Sequence, residues 1–156
     1  IMTAVKIAEE FHLDYTIEHC TEGYMIVDAL KRHHVRATIG PYLWGPEKQE
    51  LWNMTMENPG KLAQAGIDIA LTADDGSRTA YLPATIGLLL RRGLSEKAAF
   101  EGVTIQPART LQLEDRIGSL EPGKDADIAI FDGHPFSSLS ACRMTIIDGK
   151  IVHNTL

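Results

Sequence analysis

The sequence predicts an α/β protein with a parallel sheet, followed by a smaller unit made of strands alone. Over about the first 110 residues, short apolar strands alternate with amphipathic helices through short connections, the pattern of βαβ units. Polar residues follow the ends of these strands, at the edge where the loops of parallel strands converge. About the last 40 residues carry strand and turn patterns but no helical period.

The parallel part opens with a helix over residues 1–11, whose apolar side chains recur at helical spacing. The predicted strands that follow cover residues 13–19, 35–40 and 67–72. Helices are expected between and after them, at 22–33, 47–54, 58–66, 80–92, 96–102 and 104–111. Thr21, Asn58 and Ser95 are the expected N-caps, and Pro59 occupies a first helical position.

The last part is predicted to be a small antiparallel unit. Residues 117–124 indicate a strand and a turn, 126–131 an apolar strand, and 144–152 a hairpin that turns at Asp148-Gly149. Three or four strands do not readily form an independent domain. We therefore expect 126–131 to pair with the hairpin, away from the parallel sheet, and the unit to pack on something outside this chain.

Composition excludes several classes of function. The chain is 44% apolar and has a net charge of −6, which is typical of a globular domain and unfavourable for a nucleic-acid or anionic-membrane surface. No apolar run approaches the ~20 residues of a membrane span. Cys20 and Cys142 cannot build a disulfide framework, so a reducing, cytoplasmic location is expected.

The first residue of the chain is already part of a helical pattern of apolar residues. Ile1 is already part of the helical stripe, and no initiator methionine or capping residue precedes it. The prediction is a fragment of a longer protein with a substantial N-terminal part missing. The alternative is a chain that has lost only a few residues.

His19 is the first candidate site residue, because it ends an apolar strand. A neutral imidazole beside a carboxylate suits a zinc-type site in which a nearby acid fixes the tautomer. Glu22 is better placed for that role than Glu18, which alternates away from His19 along the strand. Both features have structural alternatives: a hydrogen-bonded histidine at a strand end, and a glutamate that favours a helix dipole.

Asp74 and Asp75 form the second candidate, directly after the third strand. Paired acids there can bind a metal or act as a general base, but two acids before a glycine are also a common turn. The cysteines lack a CxxC partner, and Tyr42, Trp44 and Trp52 suit core packing better than a cleft. The remaining histidines are expected to be non-catalytic: His12, His33, His34, His134 and His153.

Several motifs together resemble the metal-dependent amidohydrolase superfamily, and most closely its imidazolonepropionase-like members. They are TIEHCTEG at 16–23, ALTAD at 70–74, TIQPAR at 104–109, GSLEPGKDADI at 118–128 and DGHPF at 132–136. The resemblance covers essentially the whole chain. The GSLEPGKDADI stretch is highly specific to the superfamily, although it marks the fold more than the chemistry.

The resemblance implies a (β/α)8 barrel flanked by a small β-sandwich built from both chain ends. On that map, residues 1–112 hold the last three barrel strands and residues 113–156 the C-terminal sandwich strands. His19 falls on the sixth-strand histidine, which ligates metal in binuclear members and often contacts substrate in mononuclear ones. Asp74 falls on the eighth-strand aspartate, the metal ligand and general base. The Asp75-Gly76 pair departs from the His-Pro common in close relatives, which affects the substrate side.

The implied function is hydrolysis of a non-peptide C–N bond in a small amide or lactam by water that a divalent metal activates. One or two zinc ions are expected, and the substrate-binding residues cannot be identified. A deaminase of the same superfamily and a non-catalytic scaffold are the alternatives. Because His19 and Asp74 are only two ligands and three strands leave a barrel open, we expect the isolated chain to be inactive. We expect it to associate with another copy or with the missing N-terminal part.

Overall fold

The computed structural model describes residues 1–43, 45 and 48–156. Its strands form two separate three-stranded sheets. The first is parallel, in the order β1 (Ile17–His19), β2 (Ala37–Ile39), β3 (Ile69–Leu71), and the second is antiparallel, in the order β4 (Ile128–Phe131), β5 (Cys142–Ile147), β6 (Lys150–Asn154). The α/β class and the parallel pairing predicted from the sequence are confirmed, and the first sheet with its helices fits part of a (β/α)8 barrel.

Seven α-helices and two 3₁₀ turns are seen in the described residues. The helices are α1 (Met2–Glu10), α2 (Val27–Arg32), α3 (Asn58–Gln64), α4 (Gly76–Thr79), α5 (Leu82–Arg91), α6 (Glu96–Val103) and α7 (Ile105–Thr110), and the 3₁₀ turns are Gly23–Met25 and Gln49–Leu51. Among these helices none has the length and apolar character needed to cross a membrane.

Three predicted elements differ from the structure. The helix expected over 22–33 begins only at Val27, after a 3₁₀ turn, because the Tyr24 N–H is donated to the Asn58 side chain. Residues 117–124, all of them described, form turns and no strand. There the Lys124 ammonium reaches back to the carbonyl oxygen of Glu114 at 2.5 Å. Of the helix expected over 47–54, only Gln49–Leu51 is helical, and residue 47 lies outside the described residues.

The register of the parallel sheet brings its strand ends to one edge. His19 pairs with Ile39, and Ile39 pairs with Leu71, so all three strands end level with one another. Side chains from the surrounding helices, including Leu30 of α2 and Leu62 of α3, pack on the face that carries Ile39 and Leu71, whereas the opposite face is only partly covered and leaves Glu18 exposed. The loops that follow β1, β2 and β3 are therefore held over a packed core.

The antiparallel sheet contains the predicted hairpin. β4 pairs with β5 and β5 with β6, as expected for 126–131 and 144–152, although the hairpin starts earlier, at Cys142. Asp148 and Gly149 at its turn both have positive φ, 50° and 72°, as a type I′ turn requires. Phe136, in the connection between β4 and β5, is buried in the main core with its carbonyl against Gly87 of α5.

Candidate metal centre

His19 and Asp74 lie side by side at the carboxyl edge of the parallel sheet. His19 is the last residue of β1, and Asp74 follows β3 after a short turn. The His19 Nε2 and Asp74 Oδ2 atoms are 3.9 Å apart, and both residues line a cavity of about 420 Å³. The structure thus brings the two sequence candidates to the same side of the sheet, as predicted.

Both residues have a backbone conformation that is uncommon outside glycine. The φ angle is 63° at His19 and 60° at Asp74, in the left-handed region where histidine and aspartate are over-represented. The Thr72 hydroxyl accepts the Asp74 N–H at 3.1 Å and so closes the turn that carries this residue. Strained conformations of this kind concentrate at functional sites, where the surrounding structure holds them in place.

A backbone carbonyl fixes the tautomer of His19. The imidazole Nδ1 lies 2.5 Å from the Gly40 carbonyl oxygen, and because a carbonyl only accepts, Nδ1 must carry the proton. In the neutral imidazole, Nε2 is then the nitrogen with the lone pair and faces the cavity, which is the form a metal-ligating histidine needs. The acid expected in this role is not used, since Glu22 accepts a hydrogen bond from the Asn53 side chain at 2.7 Å.

Residue 40 can place its carbonyl oxygen on His19 only because it is glycine. Its φ is +135°, and a Cβ there would stand 2.1 Å from the Thr72 carbonyl oxygen. A side chain would force β2 and β3 apart at the edge where the site lies. In the sequence, Gly40-Pro41 indicated only the end of a strand.

The two adjacent acids have different surroundings. Asp75 caps α4: its Oδ1 accepts the Ser77 hydroxyl at 2.6 Å and the Arg78 N–H at 2.8 Å, and its Oδ2 pairs with the Arg78 guanidinium at 3.0 Å. The Ser77 hydroxyl and the Arg78 N–H hold the pKa of Asp75 below its usual value. Asp75 is therefore a helix cap, whereas the Asp74 carboxylate faces the cavity.

The neighbouring thiol and aromatic residues are not chemical groups of the site. Cys20 is buried, and burial raises the pKa of its thiol to about 11, so it stays protonated and is a poor metal ligand. Tyr42 lies in the core and Trp52 is exposed, while Trp44 lies outside the described residues.

Asn58 is the residue near the site that sequence reasoning misread. Its side chain does not cap α3; it is buried and bonds the loop after β1, with Nδ2 donating to the Cys20 carbonyl oxygen at 3.1 Å. Its Oδ1 accepts the Tyr24 N–H at 2.9 Å. The Asn-Pro pair is a strong local signal for a helix start, and partners more than 30 positions away leave no local trace.

The donor set within this part of the protein is a pair. In the portion of the chain that the structure describes, no group of three or more His, Cys, Asp and Glu side chains could hold a metal ion. His19 Nε2 and Asp74 Oδ2 face each other at a distance too long for a hydrogen bond. Two ligands of one tetrahedral ion, each bonded at the usual ~2.0–2.2 Å, stand slightly closer together than this, so a small inward shift of the two side chains would let one ion bond both.

Comparison with known proteins identifies the family. The model of the amidohydrolase family matches residues 8–152. The chain belongs to the amidohydrolase family. Homologues in this family are hydrolytic enzymes, and its members generally bind divalent metals. The superfamily that the sequence motifs predicted is thereby confirmed.

Individual relatives carry two different names. The chain is 39% identical over 100 residues to adenine deaminase 2 of Jannaschia sp. (strain CCS1), covering 58% of this chain and 16% of that protein. It is 32% identical over 138 residues to an imidazolonepropionase of Geobacillus thermodenitrificans (strain NG80-2), covering 81% of this chain and 32% of that one.

A solved amidohydrolase from Thermotoga maritima MSB8 has a very similar fold. It superposes with a TM-score of 0.92 at 39% identity, over 99% of this chain and 40% of that one. The chain thus spans 16% to 40% of the length of these three proteins.

Proposed function

We propose that His19 and Asp74 bind a catalytic divalent metal, zinc by preference, and that the protein hydrolyses a non-peptide C–N bond in a small amide or lactam. One observation carries this proposal: the His19 imidazole, which donates from Nδ1 to the Gly40 carbonyl, turns its Nε2 to the Asp74 carboxylate at 3.9 Å across a cavity. An imidazole nitrogen with a carboxylate oxygen is a typical zinc donor set.

The two donors would be part of a larger ligand set. Zinc in catalytic sites takes about three protein ligands and a water or substrate, and this chain offers a pair. We infer that the other ligands come from polypeptide outside this chain, since the relatives it matches are more than twice as long. Whether His19 serves a second ion or the substrate carbonyl distinguishes a binuclear from a mononuclear site.

Asp74 is the proposed general base and acid. When bound, a divalent ion would polarise the substrate carbonyl and lower the pKa of water. Asp74 would take a proton from the attacking water as the new C–O bond forms, and pass it to the nitrogen as the C–N bond breaks. His19, oriented by the Gly40 carbonyl, would hold the ion or contact the carbonyl oxygen of the substrate.

A deaminase is the second candidate. It is favoured by the 39% identity to a relative named for adenine deamination, and the same two side chains would serve hydrolytic loss of ammonia from an aminopurine ring. A non-catalytic scaffold that keeps the fold without the metal is the third.

We further propose that this chain is inactive alone and gains activity in a larger assembly. Large apolar side chains are exposed, among them Phe11, Leu13 and Leu43, and such a surface favours association. The partner would be the rest of a barrel or another copy of the chain. A second layer of strands would cover β4–β6 and complete the expected small sandwich. The acidic net charge of −6 favours a small-molecule substrate over a nucleic acid, and the two free cysteines favour a reducing, cytoplasmic location.

The test is a zinc-supplemented assay of this chain and of a longer protein that contains it, with lactams and aminopurines as substrates. Asp74→Asn should reduce turnover by the longer protein by about 10²–10⁴-fold. Asp75→Asn is the matched control and should retain turnover, because Asp75 caps α4. Turnover that survives Asp74→Asn would contradict the proposal. Turnover of aminopurines alone would favour the deaminase. No turnover of either substrate class, with or without zinc, would favour the scaffold.

A further inference from the structure

A buried amide next to the site has no role in the proposed chemistry. Asn58 is the first residue of α3 and is only 1% exposed. A buried polar group must be hydrogen-bonded to be tolerated. Besides a bond with the Tyr42 side chain, the Asn58 amide makes two bonds to the loop that follows His19. The Asn58 amide therefore restrains that loop.

The loop after β1 is strained. His19 and Cys20 are consecutive residues with positive φ, 63° and 40°, a backbone region that is unfavourable for residues other than glycine. Two backbone bonds support the turn: the Cys20 N–H donates to the Glu18 carbonyl oxygen at 2.8 Å, and the Gly23 N–H donates to the Cys20 carbonyl oxygen at 2.9 Å. Both bonds join residues within or next to the loop, so they do not attach it to the rest of the fold.

Asn58 attaches both ends of the loop to a separate element. Its Nδ2 donates to the Cys20 carbonyl oxygen, and its Oδ1 accepts the Tyr24 N–H. A carboxamide provides a donor and an acceptor in one rigid plane, so it fixes the separation of these two backbone groups. An aspartate would keep the acceptor and lose the donor.

The helix that carries Asn58 is itself fixed. Leu62 is fully buried in the core, and Gly60 packs so closely that a Cβ would stand 2.8 Å from the Gly93 backbone after α5. The amide therefore projects from a rigid support, as precise positioning requires.

We propose that Asn58 is a positioning residue for His19. By holding the Cys20 carbonyl it locks the left-handed backbone at His19, and this keeps the imidazole on Gly40 with Nε2 directed to Asp74. The value of this arrangement for catalysis rests on the proposed function; the arrangement itself does not.

The test measures the His19 imidazole without metal. Side-chain ¹⁵N resonances of the wild-type chain at a pH where His19 is neutral should show one tautomer, protonated at Nδ1. Asn58→Ala and Asn58→Asp should shift those resonances toward the average of two tautomers. Gln106→Ala is the matched control, because the Gln106 amide is also buried but bonds Asp68 at 2.8 Å before β3, at the opposite end of that strand. It should lower the thermal midpoint by a similar few degrees and leave His19 unchanged.

His19 resonances that stay wild-type in a folded Asn58 variant would overturn the proposal, as would an equal shift in Gln106→Ala. The wild-type chain gives an independent check if the variants fail to fold. The Tyr24 amide should exchange with solvent more slowly than in an unstructured peptide, and free exchange would also overturn it.

A zinc titration separates this inference from the proposed function. Asn58→Asp should weaken zinc binding by about 10–100-fold, the usual effect of losing an outer partner of a metal ligand. A longer protein containing this chain that shows the single tautomer but no zinc binding at His19 would refute the metal centre and leave the positioning role supported. Zinc binding that Asn58→Asp leaves unchanged would count against the positioning role.

Discussion

The two sheets of this protein use similar strand residues in opposite environments. Ile69 in β3 is 3% exposed, whereas Ile151 in β6 is 59% exposed. All of β3 is buried, and every residue of β6 is exposed. The difference arises from the segments that connect the strands of each sheet.

A parallel pair needs a crossover, and here the crossovers contain helices that cover the sheet. The hairpin of β5 and β6 turns directly at Asp148-Gly149 and adds no cover. A covered sheet can hold strained residues in place, and the candidate site at His19 and Asp74 lies on that sheet. In this protein the candidate site lies on the sheet whose backbone is better restrained.

The largest contrast is expected between substitutions of a large apolar residue by alanine in the two regions. Leu62→Ala removes a fully buried side chain beneath the parallel sheet and should lower the free energy of unfolding by about 2–5 kcal/mol. Ile151→Ala should change it by less than about 0.5 kcal/mol, as measured by urea denaturation. An equal loss in the two variants would mean that the antiparallel sheet is covered in solution, for instance by a second copy.

A smaller contrast is expected between two glycines with positive φ. Gly40→Ala combines strain with a clash against Thr72 and should cost about 2–3 kcal/mol of unfolding free energy. Gly149→Ala meets open space and should cost only the conformational strain, about 1 kcal/mol. Thermal unfolding of both variants checks this order. A Gly40→Ala variant as stable as Gly149→Ala would show that β2 and β3 separate easily at the site.

The smallest effect concerns the adjacent acids. Asp75→Ala removes the α4 cap and should lower the thermal midpoint by about 2–4 °C, while Asp74→Ala should leave it unchanged. The pKa of Asp75 is lowered in the folded protein. Its carboxylate therefore stabilises the fold fully at pH values above its pKa in the unfolded chain, near 3.9, and this stabilisation is lost as the pH falls through the folded pKa. The midpoints of wild type and Asp75→Ala should therefore converge below about pH 4. A constant gap from pH 7 to pH 2 would rule out the carboxylate as the source of stability.

The features that could be predicted from the sequence are those that depend on the local spacing of apolar residues and on the positions where strands end. The βαβ order, the position of His19 and Asp74 at one edge, and the Asp148-Gly149 hairpin all follow from patterns within a few residues. The division into 1–112 and 113–156 stays a prediction, and Phe136 shows that the later segment also contributes to the main core.

The rest depended on contacts between distant residues. Asn58 has the sequence of a helix cap, but its amide is used 38 positions away at Cys20. Gly40 supplies the carbonyl that orients His19 across 21 positions. Glu22 had the right charge to fix the tautomer, and a neutral carbonyl does so instead. Such contacts require the register of the sheet, which no local pattern contains.

The central claim is that the ends of β1 and β3 form one metal site. Crystals of this chain soaked in zinc chloride, with anomalous diffraction recorded at the zinc edge, test it most directly. We expect a peak about 2.0–2.2 Å from both His19 Nε2 and Asp74 Oδ2. Zinc bound at other side chains, with no anomalous density between these two atoms, would contradict the claim.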